Sequence, residues 1–108
     1  MLRVEEITIE QANYLKQASL GPAQLAELGR VRESKERAFA GHRAWQAERR
    51  LPVLRLEEAA GCNYQISDVI ALADEQGRPL AVLAIDDKWI DAGTGPGTIY
   101  FGGKVHFF

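Results

Sequence analysis

The stretch IYFGGKVHFF, residues 99–108, sets two adjacent glycines inside an aromatic, strand-forming run. Such a pair has two readings. One is a loop whose bare backbone wraps a ligand. The other is a bend in a sheet that needs something to pack against. The flanking Ile, Tyr, Phe and Val favour the strand. The glycines therefore read as a corner by which a small sheet curls. Phe107 and Phe108 point to opposite sides of that strand. One ring can join the core, and the other needs a helix, a second subunit or another partner. Phe107, Phe108 and Tyr100 are the predicted self-association residues, and a homodimer or other homo-oligomer is the predicted state.

Moving upstream, DAGTGPGT (91–98) reads as a loop. Before it, QISDVIALAD and RPLAVLAID read as two strands joined by EQGR, with Gly77 suited to a positive-φ turn. The run Leu80–Ile85 is apolar on both faces, which predicts a barrel strand covered by helices or a strand at an interface. LPVLRLE (51–57) reads as a strand opened by a proline.

The first half reads helical. Residues 2–7 suit a short strand, and Thr8 with Gln11 fits a capping box opening a helix over 9–18. SLGP then breaks the chain, and Pro22 starts a second helix. Run to Arg49, that helix would be ~40 Å long, so a break near RESKE is expected. Its apolar arc holds Leu25, Leu28, Val31, Ala38, Phe39 and Trp45, with Lys35 and His42 near its centre. The opposite face is rich in arginine.

The 108 residues suit one domain, with a helical part over about 8–50 and a β part over about 51–108. A net charge of −2 does not favour nucleic acid or an acidic membrane as an obligatory partner. The single cysteine, Cys62, precludes an intrachain disulfide and fits a reducing cytoplasm. No apolar run approaches the ~20 residues a membrane span needs, and the N-terminus has no signal-peptide pattern.

Three pieces in order, RLPVLRLEE, SDVIALADEQGRPLAVLAIDDKW and YFGGKV, carry a resemblance. They are similar to the N-terminal, PUA-like domain of ATP sulfurylase (sulfate adenylyltransferase). Ser67 and Asp68 take the place of that family's Gly-Asp entry. Asp74, Gly77, Pro79, Leu80, Ala81, Val82 and Leu83 match its hairpin, and Tyr100, Gly102, Gly103 and Val105 its closing strand. The resemblance covers residues 51–108 and implies an α+β fold: a small PUA-like β-barrel with N-terminal helices packed against it. Sulfate activation is not implied, because the family's Gln-x-Arg-Asn and His-x-x-His motifs are both absent.

Each candidate site has a plainer reading beside it. GTGPGT (93–98) looks phosphate-binding, but it leads into a strand rather than a helix, and Pro96 removes a donor. It reads as a β connection. Asp86, Asp87 and Asp91 lack a partner motif for acid–base work and read as strand-end residues. His42 reads as a partly buried histidine and His106 as a β position, since a metal needs more companions. Cys62 has no base nearby in sequence. The arginines Arg30, Arg37, Arg43, Arg49 and Arg50 are the candidate nucleic-acid or anion contacts. Interspersed glutamates argue against that contact, since i,i+4 Glu–Arg pairs explain the same residues as a solvated helix face.

No catalytic residue, cofactor or metal is predicted. The leading expectation is a non-enzymatic stand-alone accessory or interaction domain, homo-oligomeric, cytoplasmic and linked to a sulfur-assimilation partner. The alternatives are an RNA- or nucleotide-binding PUA-like module, with RNA not favoured, and a small enzyme with an unidentified ligand.

Overall fold

The computed structural model describes residues 4–91 and 97–108. In chain order it holds a 3₁₀ turn Val4–Glu6, α1 Ile9–Ala12, β1 Gln17–Ser19, α2 Pro22–Glu33, β2 Ala38–Phe39, α3 His42–Ala47, β3 Leu54–Glu57, α4 Glu58–Gly61, β4 Val69–Ala73, β5 Pro79–Trp89 and β6 Thr98–Phe107.

The six strands form one mixed sheet in the order β1-β4-β5-β6-β2, with β3 also paired to β6. β1 runs parallel to β4, and the other pairs are antiparallel. The margins, β1 on one side and β2 with β3 on the other, do not pair, so the sheet is not closed. This corrects the expected PUA-like barrel. The both-sided apolarity of β5 has a different physical cause. Leu83 and Ile85 face the main core with Leu28 and Val31 of α2, while Val82 faces Val4, Ile7 and Ala12. The N-terminal segment covers the second face, and no closure is needed. Residues 4–6 form a 3₁₀ turn rather than the expected strand.

Several local expectations hold in the structure. Thr8 and Gln11 form the capping box, each side chain bonding the other's backbone N–H at 3.2 and 2.9 Å. Asp74 builds the β4–β5 turn, accepting the N–H groups of Gln76 and Arg78 at 2.9 Å each, with Gly77 at φ +81°. The break at RESKE occurs after Glu33. There Ser34 Oγ donates to the Val31 carbonyl at 2.8 Å and accepts the Arg37 N–H at 3.1 Å. Arg37, at φ +46°, turns the chain into β2.

The paired glycines lie inside β6, opposite a bulge in β5. Ile85 pairs with Gly103 and Asp87 with Gly102, leaving Asp86 as the extra residue. A Cβ on Gly103 would stand 2.0 Å from the Ala84 carbonyl oxygen. One on Gly102 would stand 2.4 Å from the Ala40 carbonyl oxygen. The glycines therefore answer to close backbone approach on both sides of β6.

Among the described residues, no helix is long and apolar enough to cross a membrane.

Candidate functional site

Beside β2 the turn after α2, the start of α3 and the Leu51–Pro52 segment enclose a cleft of about 450 Å³. Ser34, Lys35 and Glu36 form its polar wall, and Phe39, Ala40, Leu51 and Pro52 are among its apolar lining. Its floor is fixed from below. Ala40 donates its N–H to the Pro52 carbonyl at 2.8 Å. Gly102 lets Ala40 and Gly41 settle onto β6, since a Cβ there would meet the Gly41 Cα at 2.9 Å. Asp87 Oδ2 accepts the His42 N–H at 2.7 Å and so ties the start of α3 to β5. Opposite, the Arg37 carbonyl accepts the Val105 N–H at 2.9 Å, which helps hold that residue's positive φ.

Behind α3 lies an aromatic stack. Trp89 stacks on Tyr100 at 5.6 Å between centroids, and Tyr100 meets Trp45 at 4.9 Å. The half-buried His42 ring stacks on Trp89 at 5.1 Å. The Arg49 guanidinium lies over Trp45 at 4.1 Å and pairs with Asp91 at 3.4 Å. The indole Nε1 atoms of Trp45 and Trp89 are buried with no hydrogen-bond partner among the described residues.

The five candidate arginines do not share one helical face, because α2 ends at Glu33 and α3 is separate. Arg30 pairs with Glu27 at 2.9 Å and donates to the Arg50 carbonyl. Arg49 is engaged by Trp45 and Asp91. Arg37, Arg43 and Arg50 each adjoin in sequence a residue lining the cleft, namely Ala38, Ala44 and Leu51. Of the predicted association residues, Tyr100 is 1% exposed, in the aromatic stack. Phe107 lines a second, apolar groove of about 210 Å³ with Leu25, Leu28 and Leu80. Phe108 beside it is 40% exposed.

Asp87 is a helix cap. Asp86 is pushed above the usual carboxylate range, first by lost hydration and then by the neighbouring Asp87 charge. Cys62 is exposed and its thiol contacts the Ala59 carbonyl. His106 meets Phe108 edge to face at 6.3 Å. No group of three or more His, Cys, Asp or Glu among the described residues is placed to hold a metal. The GTGPGT stretch lies outside the described residues except for Gly97 and Thr98. The cleft itself carries no motif. Its only trace in the sequence is the surplus of cations over residues 34–52, which on periodicity alone resembles one face of a long helix.

Comparison with solved structures shows a shared fold. A chain of a hexameric APS kinase from Thiobacillus denitrificans superposes with a TM-score of 0.73 at 19% identity. The match covers 91% of this chain and 22% of that one. No family model matches, and no curated protein matches. These findings correct the kinship expected from sequence. The matching protein is an APS kinase and not an ATP sulfurylase, and nothing among family models or curated proteins supports the sulfurylase resemblance. The stand-alone accessory-domain reading and its PUA-like RNA-binding alternative rested on the barrel, and they fall with it. At this identity the likeness speaks to fold alone.

Proposed function

We propose that this chain is a homo-oligomeric, cytoplasmic domain of a nucleotide-related, kinase-like fold that takes part in adenylyl-sulfate chemistry with a sulfur-assimilation partner. The observation supporting it most is the 0.73 TM-score over 91% of the chain to a hexameric APS kinase. The sequence contains no G-x-x-x-x-G-K-[ST] run, the loop that cradles transferred phosphates. We therefore assign phosphoryl transfer to the partner and not to these residues. The lone cysteine suits a reducing compartment.

We assign self-association to the groove formed by Leu25, Leu28, Leu80 and Phe107, with Phe108 at its edge. Tyr100 is left out because the aromatic stack encloses it. Size-exclusion chromatography with light scattering tests the assembly. The expected mass is a multiple of 12.0 kDa, lowered by Phe108→Asp. A monomer at high concentration contradicts it.

A further inference from the structure

We infer that the cleft between the 34–37 turn and α3 binds an organic phosphate or sulfate ester, with the anionic group at Lys35 and the ester's apolar body on the floor. This goes beyond the reading above and stands on the cleft's own geometry. Only the adenylyl-sulfate arm of the test draws on that reading.

Four observations converge. The volume, about 450 Å³, falls in the range of small-molecule sites. The lining is divided, with Ser34, Lys35 and Glu36 on one wall and Phe39, Leu51 and Pro52 offering apolar surface. That division fits a ligand with one charged end and one flat or apolar end.

Charge is the second. Residues 34–52 hold Lys35, Arg37, Arg43, Arg49 and Arg50 against Glu36 and Glu48, a surplus of three positive charges in a chain of net −2. Among the described residues no ion pair forms at Lys35, Arg37, Arg43 or Arg50. Of these, Lys35 lines the cleft, and Arg37, Arg43 and Arg50 adjoin lining residues in sequence, so their charge bears on an anion there.

Preorganisation is the third. Gly102, the Asp87–His42 bond and the Ala40–Pro52 bond fix the floor before any ligand arrives. A rigid floor lowers the ordering cost of binding. Strain is the fourth. Arg37 sits at φ +46°, held by hydrogen bonds on both sides. Backbone strain of this kind concentrates at binding sites and switch regions.

Isothermal titration at low salt tests the site with 4-nitrophenyl phosphate, 4-nitrophenyl sulfate, adenosine 5′-phosphosulfate and inorganic phosphate. The aromatic esters should bind saturably, and inorganic phosphate about tenfold more weakly for want of the apolar contact. The stronger of the two nitrophenyl esters identifies the headgroup. Ala44→Trp, which fills the cleft from an exposed helix position, should abolish binding. Lys35→Glu should weaken it about tenfold or more. Arg32→Glu, at the other groove, should leave it unchanged. Circular dichroism confirms that each variant folds. No saturable ester binding by the folded chain, or binding that survives Ala44→Trp, overturns the site. Binding of both nitrophenyl esters but not of adenosine 5′-phosphosulfate upholds the site and contradicts the sulfur-nucleotide reading.

Discussion

Asp87 on β5 and His42 on α3 are joined by a 2.7 Å hydrogen bond from backbone N–H to carboxylate, across forty-five residues of sequence. Gly41, the residue before α3, carries no capping side chain. The carboxylate does a cap's work from another element. Its other oxygen accepts the Lys88 N–H at 2.9 Å. Asp87→Ala should cost about 1–2 kcal/mol, read as a lower midpoint in urea. Asp87→Asn should recover part of that loss. The same variant should loosen the His42–Trp89 stack and change tryptophan emission.

The two kinds of glycine in this chain should respond in opposite directions. Gly103→Ala forces a Cβ to within 2.0 Å of the Ala84 carbonyl oxygen, with backbone on both strands unable to yield. The expected cost exceeds about 4 kcal/mol, at the extreme of single substitutions. Gly29 lies in the interior of α2, where an added Cβ would meet nothing within 4 Å. Gly29→Ala should stabilise by about 0.5–1 kcal/mol. Thermal unfolding of both variants checks the contrast.

Acid dependence follows from three aspartates of opposite sense. Backbone N–H donation from Arg78 leads the causes that lower the Asp74 pKa, and donation from Gln65 leads those for Asp68. Each binds its proton less readily when folded, so its stabilisation is present above the unfolded value, about 3.9. That stabilisation is lost as pH falls through the lower folded value. Asp86 is raised, so its favourable contribution exists at acid pH and disappears as pH rises through the raised value. Asp74→Asn should flatten the fall of melting temperature on the acid side. Asp86→Asn should raise the melting temperature at neutral pH and not at acid pH.

What the sequence revealed and what it concealed divide by range of interaction. Gly77 announces its turn because the hydrogen bonds that form it are local. Thr8 and Gln11 do the same for a helix start. β1 is only Gln-Ala-Ser, weak strand formers held by parallel pairing to Ala71–Ala73 of β4. β2 is Ala38–Phe39, set by Gly103 and Lys104. Nothing local distinguishes either from helix. Apolarity on both faces of β5 marks burial, but not whether a barrel wall or an N-terminal segment covers the second face. Tyr100 resembles an interface aromatic in the sequence because Trp45 and Trp89, which enclose it, are distant along the chain. The cleft draws on four separate segments, and only its charge surplus is visible along the chain.

Removing the central ring of that aromatic stack should be costly. Tyr100 touches Trp45 and Trp89, with the Arg55 guanidinium 5.5 Å from its ring centroid. Tyr100→Ala should destabilise by about 3–5 kcal/mol, as expected for truncating a buried aromatic. Tyr100→Phe, which keeps the stacking ring, should cost far less. Urea unfolding followed by tryptophan fluorescence compares the two.

The glycine pair exists because backbone presses on β6 from both sides, one side seating the cleft floor. An isotope-edited NOE spectrum tests this most directly. Contacts are expected from the Gly103 α-protons to Ala84 and from the Gly102 α-protons to Ala40 and Gly41. Absence of both sets in the folded chain, with the glycine amides instead shifting first as a phosphate ester is added, would contradict it.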